Sequence, residues 1–450
     1  KTKVENINPI KDLKSLTVLN LDSTGVSFLK PLSNLENLKI LRLSHTSISD
    51  LSALKDLKNL ERIYCDQTQI NRELATAFME SKQGVLVIFD SKDLKGWWDS
   101  LPIAWQKVFR DAAHTGDQPS NEDLAKITNI DSLNLSDNEA LTDLEPLQRF
   151  RKLKVLNAKG TGIKTLSPIQ EHTGIRSIDI SDTEVEDISV LLQFKNLSIV
   201  RADRSKISNL EPLSEIKSLK KIYADATPIQ DQHVKEFLSK NPDCLVVYKT
   251  DSLLGWWNEL SDGWKEVFKA QVPINSKFRK EDLHRLVELE SLEFKDSSID
   301  ELTALGVFVR LKALNFSGTA LTDISPLANI KSIKLLHITN SPLRDISSLS
   351  ALTDIEDLDI SNTPVEDLRP LGNLEKLKTL NCSGTQVNSL SPLENLSLES
   401  LDCSNTGVKK LSPLFGLPLT TLKCYNTKIS SREIESFKKR IPACNVIYYR

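Results

Sequence analysis

The chain has 450 residues, a formal net charge of −3 and 26% charged residues. That length exceeds an ordinary single core, and the charge balance lacks the basic surplus of a nucleic-acid binder. No apolar run approaches the roughly 18 residues that mark a membrane-spanning helix, so several domains or a repeat array remain.

The chain opens on Lys1, and Val4 to Ile10 (VENINPI) reads as the tail of a repeat whose strand is missing, as expected of a fragment. An apolar-x-apolar core then recurs at 19–21, 41–43 and 63–65. After a gap it returns at 133–135, 156–158, 178–180, 200–202 and 222–224. After a second gap it returns at 292–294, 314–316, 336–338, 358–360, 380–382, 401–403 and 422–424. These are 15 copies in runs of three, five and seven, spaced 21 to 23 residues apart.

Each copy reads as a short strand and a return segment. In Leu38-x-x-Leu41-x-Leu43, period-2 alternation turns Leu41 and Leu43 inward and Arg42 outward. Segments such as Leu29-Lys30-Pro31-Leu32 carry proline early and are too short for a regular helix, which predicts a 3₁₀ turn. One copy cannot bury its own leucines, so neighbours must stack. A column held by Thr in 11 copies, by Ser205, Ser297 and Ser341 in three and by Asn138 in one is suited to bonding backbone groups at the turn.

With this pattern the copies resemble leucine-rich repeats, of the 22-residue class seen in bacterial internalins and in regulators of eukaryotic phosphatases. The resemblance implies an α/β solenoid with a parallel β-sheet on its concave face. It implies protein recognition only in general terms, because the fold carries many partners.

The two gaps are themselves related. Gly96 to Phe109 (GWWDSLPIAWQKVF) matches Gly255 to Phe268 (GWWNELSDGWKEVF) at an offset of 159. Trp105, Val108, Phe109 and Ala112 share one helical face, with Ser100 and Ser261 as N-caps and Pro102 in the first turn. A second helical stretch follows at 123–127 and 282–286. An amphipathic helix covering the end of a leucine stack explains the tryptophans better than a sugar platform does. Ile70 to Phe89, Ile229 to Tyr248 and Ile429 to Tyr448 each predict a helix and a last strand, with Ser430-x-x-Glu433 as a capping box. The expected organisation is therefore three capped arrays in tandem, at 1–90, 91–250 and 251–450. Only seven residues separate Phe89 from Trp97, and seven separate Tyr248 from Trp256, too few for a loose linker. These caps differ from cysteine-stapled repeat proteins and from the immunoglobulin-like domain that follows internalin repeats.

Little in the sequence points to catalysis. The six cysteines hold small apolar positions, and Cys65, Cys382, Cys403 and Cys424 share the inward strand column. They read as buried free thiols, which leans toward a reducing compartment. The six histidines share no metal spacing, and no nucleotide-loop, hydrolase or protease motif occurs, so neither an enzyme nor a cofactor is expected. Binding would fall to outward strand residues and their neighbours. Arg42, His45, Arg62 and Tyr64 adjoin in the first array. Asp179, Arg201, Arg204, Lys220, Lys221 and Tyr223 gather in the second. His337, Asp359, Asp402 and Tyr425 give the third a more acidic face. Arginine and tyrosine are enriched in binding hot spots. The matching places of Tyr64 and Tyr223 in each last repeat also suit packing against a cap. The reading is a non-catalytic scaffold binding a protein on the concave face. A glycan-binding adhesin and the sensor region of a larger signalling protein are the alternatives.

Overall fold

The computed structural model describes residues 3–150, 152–272, 279–295 and 299–449. The chain divides into two compact units, Lys1–Tyr248 and Lys249–Arg450.

In the first unit, β1 (Val18–Asn20), β2 (Ile40–Arg42) and β3 (Arg62–Tyr64) lead to α1 (Arg72–Ser81) and β4 (Leu86–Ile88). Three helices follow: α2 (Ser91–Ser100), α3 (Ile103–Ala113) and α4 (Asn121–Thr128). Then come β5 (Ser132–Asn134), β6 (Val155–Asn157), β7 (Ser177–Asp179), β8 (Ile199–Arg201), β9 (Lys221–Tyr223), α5 (Asp231–Lys240) and β10 (Leu245–Val247). The second unit begins with α6 (Thr250–Glu259), α7 (Asp262–Gln271) and α8 (Lys280–Val287). Its strands are β11 (Ser291–Lys295), β12 (Ala313–Ser317), β13 (Leu335–Thr339), β14 (Asp357–Asp359), β15 (Thr379–Asn381), β16 (Ser400–Asp402) and β17 (Thr421–Lys423), with α9 (Ser431–Arg440) before β18 (Asn445–Ile447). β1–β4, β5–β10 and β11–β18 form three parallel sheets of four, six and eight strands. Each sheet thus contains the strands of one run of repeats plus the strand of its C-terminal cap. Neighbours pair in the register of the template, Leu19 with Leu41 and Leu358 with Leu380. The fold is an α/β repeat solenoid built on parallel sheets.

Three local devices close each repeat. First, ten of the column threonines, from Thr24 to Thr427, donate Oγ1–H to the carbonyl three residues back, at 2.6–2.9 Å. The bond stays within the repeat rather than running between repeats. Second, Asn20, Asn134, Asn157, Asp179, Asp359, Asn381 and Asp402, the last residues of their strands, each accept the backbone N–H two residues on, at 2.8–3.1 Å. This Asx turn starts the return of the chain. It is not needed to end a strand, since β2, β3, β8, β9 and β17 close on Arg42, Tyr64, Arg201, Tyr223 and Lys423 and are also three residues long, whereas β11, β12 and β13 run to five. Third, the next residue but two is left-handed in fourteen copies, from Ser23 (φ 59°) to Asn426 (φ 52°), with glycine at 160, 318 and 384. Elsewhere Asn and Asp are common there, and Asn362 Nδ2 donates to Asn340 Oδ1 one repeat back at 3.0 Å.

The aromatic helices pack as caps. Phe109 lies between Trp105 and Phe150 at 5.1 Å from each, and Trp97 is 6.4 Å from Phe150. In the second unit Trp264 meets Phe294 at 5.4 Å, and Phe294 stacks on Phe316 at 4.6 Å. Trp256 Nε1 and Trp264 Nε1 donate to Ala304 O (3.1 Å) and Glu301 Oε1 (2.9 Å), so the indoles are held at both ends.

The seven-residue junctions are the first turns of α2 and α6, whose Ser91, Leu94 and Trp98 (α2) and Leu253 (α6) are buried. Several expectations need correction. Ser100 does not cap α3; it ends α2 and donates to Trp97 O, while Pro102 takes the N-cap place. Ser261 does cap α7. Ala112 is exposed, because Trp105 and Phe109 alone fill the contact face. Ser430 accepts from Glu433 N, but Glu433 Oε1 turns away from the cap to accept Leu411 N at 2.9 Å. Ser297 lies outside the described residues.

Thr319, Ser341 and Ser205 are buried with hydroxyls that find no partner among the described residues; the first two sit where the strand runs long. Thr363→Val should therefore cost about 1 kcal/mol by leaving the Ile360 carbonyl unpaired, whereas Thr319→Val should be neutral or stabilising. Urea unfolding of the two variants checks the difference, and equal losses would remove the closing bond from this account.

Candidate protein-binding surface

The open face of each sheet carries the outward strand residues in rows. On the first sheet the Arg42 guanidinium lies over the Tyr64 ring, 4.4 Å from its centroid, and Arg42 Nε donates to Asp22 Oδ2 at 3.2 Å. Arg62 Nε and Tyr64 Oη donate to the two carboxylate oxygens of Glu122, at 2.7 and 3.1 Å. Glu122 stands in the first turn of α4, which Ser120 and Asp123 fix by a capping box. Lys126, one turn along, lies 3.3 Å from the same carboxylate. His45 is exposed at a left-handed turn position and stands apart from this network.

Glu122 was not singled out in the sequence. It lies sixty residues beyond Arg62, on a helix whose pattern speaks only of packing. The sole available signal was the fixed order of a tyrosine in the last repeat and a capped acidic helix after it. A second anchor joins the same parts of the first unit, because Asp66 accepts both the backbone N–H (2.7 Å) and Oγ–H (2.8 Å) of Ser91. Arg149 also pairs with Asp93.

On the second sheet Arg201 lies over the Tyr223 ring at 4.2 Å. Tyr223 is only 2% exposed and packs with Leu245, Val247 and Ile199, so its ring is a core group. Arg204 sits at a left-handed position and grips Asp182, its counterpart one repeat back, through Nε and Nη2. Asp179 closes its own turn on Ser181 N. Lys220 and Lys221 flank the strand start, with Lys221 half-buried.

On the third sheet Asp359 accepts Ser361 N at 2.8 Å and Asn381 Nδ2 at 2.9 Å. Asp402 accepts Ser404 N at 3.0 Å, and Lys423 lies 3.7 Å from its other oxygen. His337 Nε2 faces Asp357 Oδ1 at 3.3 Å. Tyr425 stacks coplanar on Tyr449, with ring centroids 4.7 Å apart.

Most of these polar groups thus have structural partners. Arg201 differs: its guanidinium is exposed and oriented by the ring beneath it, with no carboxylate within ion-pair distance among the described residues. The cysteines offer no chemistry at the surface. All six are free and buried, and burial pushes Cys65 and Cys382 up to about 12, far from the thiolate. Among the described residues no group of three or more His, Cys, Asp or Glu could hold a metal ion, and no helix is long and apolar enough to cross a membrane.

Burial pushes the Glu122 carboxyl up, but hydrogen bonds from Tyr64, Lys126 and Arg62 outweigh it, and the group ends below its ordinary 4.5. Tyr64 is raised, first by burial and then by Glu122. A depressed acid contributes stability that is full above its unfolded value and lost as pH falls through the folded one. Glu122→Gln should cost on the order of 1 kcal/mol at neutral pH, and the gap from the native chain should close as pH falls below 4.5. Urea unfolding of both chains across that range measures it; a gap independent of pH would mean the carboxylate charge is not used.

A family model of leucine-rich repeats, in two copies, matches residues 353–395. No curated protein matches the sequence. Among solved structures, an internalin of Listeria monocytogenes strain 4b F2365 is 18% identical, covers 94% of this chain and 84% of its own, and has a TM-score of 0.26. A leucine-rich-repeat protein of Leptospira interrogans is 13% identical, with 99% of each chain covered and a TM-score of 0.31. The functional domain of InlJ from Listeria monocytogenes, which includes a cysteine ladder, is 16% identical over 96% of this chain and 72% of its own, at a TM-score of 0.27. Likenesses this distant carry no inference about partner or chemistry. Leucine-rich-repeat proteins generally serve as binding scaffolds, and the repeat spacing, the parallel sheets it builds and the matched segment make this chain a leucine-rich repeat protein.

Proposed function

We propose that the chain is a non-catalytic scaffold that binds a protein partner on the open, concave face of its sheets, with Arg201 taking an acidic group of that partner. The observation that carries this reading is the state of the Arg201 side chain. Its twin in the first sheet, Arg42, has the same ring beneath it but is occupied by Asp22. Stacking on Tyr223 restricts a guanidinium that stays exposed, which lowers the ordering cost of a bidentate bond to a carboxylate. The first sheet supplies an internal example of this chemistry, where Arg62 and Tyr64 hold a carboxylate by both oxygens. In the second unit, taken by itself, His337, Asp359, Asp402 and Tyr425 stand at or beside the corresponding strand positions.

A glycan reading retains one platform. Tyr449 is 63% exposed and lies flat against Tyr425, whereas Trp105 and Trp264 are buried in the caps. A glycan array positive for the native chain and blank for Tyr449→Ala would replace the protein reading.

For the protein reading, a partner is captured from lysate, identified, and titrated against purified variants by surface plasmon resonance. Arg201→Glu should weaken binding at least tenfold under conditions where both chains are folded, since the Tyr223 ring contact that it gives up contributes only about 1 kcal/mol to stability. Arg42→Glu in the same assay should change affinity little. Unaltered affinity for Arg201→Glu would overturn the assignment of this face.

A further inference from the structure

The flank of the second sheet, where its strands begin, holds an opening that the repeat template does not predict. In four repeats the residue four places before the first inward strand position bonds across to a backbone carbonyl of the preceding repeat. Asn37 Nδ2 donates to Lys14 O and Asn59 Nδ2 to Glu36 O, each at 2.9 Å. Ser218 Oγ and Ser332 Oγ donate to Leu197 O and Leu311 O, each at 2.7 Å. Over β6, β7 and β8 this column reads Lys152, Gly174 and Asn196. Gly174 has no left-handed backbone, and a Cβ there would meet only Leu153 O at 3.6 Å, an ordinary contact. Neither backbone strain nor crowding requires the glycine. Its effect is a notch between Lys152 and Asn196.

The notch is the floor of a groove of about 630 Å³, closed on the far side by the turn between α1 and β4. Lys154 and Arg176 stand on its rim in successive repeats, whose strands lie about 4.8 Å apart. Lys154 is paired with Asp131 at 3.3 Å. Lys152, half-buried, and Arg176 have no carboxylate within ion-pair distance among the described residues. Burial draws the Lys152 ammonium below the ordinary lysine range, against the pull of Glu80 and Asp131, two carboxylates that also line the groove.

We infer that this groove binds a small ligand through a dianionic oxyanion group, a phosphate or sulfate ester, held by Lys152 and Arg176, with the Asn196 amide as a further donor. Two unpaired cations match a dianion, whereas a carboxylate would leave one of them uncompensated. Gly174 leaves room for the body of the ligand, and the groove lies within the size range of small-molecule sites.

Inorganic pyrophosphate, inorganic phosphate and sulfate are titrated into the full chain by calorimetry at low and physiological ionic strength. Saturable binding of one ion per chain is expected, and the preferred probe tells a phosphate from a sulfate ester. Lys152→Ala and Arg176→Ala should each weaken it about tenfold. Gly174→Asn, which fills the notch with the side chain that Asn196 carries one repeat on, should abolish binding without lowering the melting midpoint. Lys107→Ala, removing an exposed charge far along the sequence in α3, should leave it unchanged. Three results overturn the inference: no saturable binding of any probe, native affinity in Gly174→Asn, or an equal loss in Lys107→Ala.

Discussion

A repeat of this chain turns two or three leucines inward and has nothing of its own to bury them against. Leu41 and Leu43 are dry because Leu19 and Ile63 lie in register on either side, and the same holds for Leu358 between Leu336 and Leu380. Burial of such side chains is worth roughly 1.5–3 kcal/mol each, but only once a neighbour is in place. Every other feature follows from that dependence. The turns must return the chain to the same register every 21 to 23 residues, and the ends must be covered. The threonine bond, the Asx turn and the left-handed residue meet the first requirement. The aromatic helices and the cap strands meet the second.

This demand on the turns changes the meaning of the open face. A side chain pointing away from the core has no packing duty, and in a sheet with a solvated face recognition is the natural reading. Here Asn20, Asn134, Asn157, Asp179, Asp359, Asn381 and Asp402 point outward and still bond the backbone of their own turns. Asp182 and Arg204 likewise belong to a row of turn residues. An outward residue whose polar groups stay unpaired within the chain is therefore rarer than the sequence suggests, and more informative where it occurs. Arg201 on the sheet face and Arg176 on the flank are of this kind.

The first unit also shows how separate runs of repeats are joined. Glu122 and Ser91, both beyond the first run, place polar groups on Arg62, Tyr64 and Asp66 in its last repeat. Such partly exposed contacts contribute about a kilocalorie per mole each. Their value lies in direction, since a carboxylate held by both oxygens admits one orientation of α4 where an apolar contact would admit several. The groove beside Gly174 is a by-product of the same junction, because its far wall is the turn after α1.

The repeat, its register, the caps and the buried thiols were legible in the sequence because each is a periodic or local property. Leu-x-x-Leu-x-Leu declares its inward positions, and Trp105 and Phe109 declare the face of their helix. The shortness of the junctions was legible too, but not that they are the first turns of α2 and α6, because those helices bury few residues and carry a glycine near the middle. What the sequence could not determine was which outward polar groups are already spent. That depends on distances between residues twenty to sixty positions apart, Arg42 to Asp22, Arg204 to Asp182, Arg62 to Glu122. Periodicity reports which way a side chain points, but hydrogen bonding depends on what it meets there, and only the folded chain brings the two partners within 3 Å or so of each other.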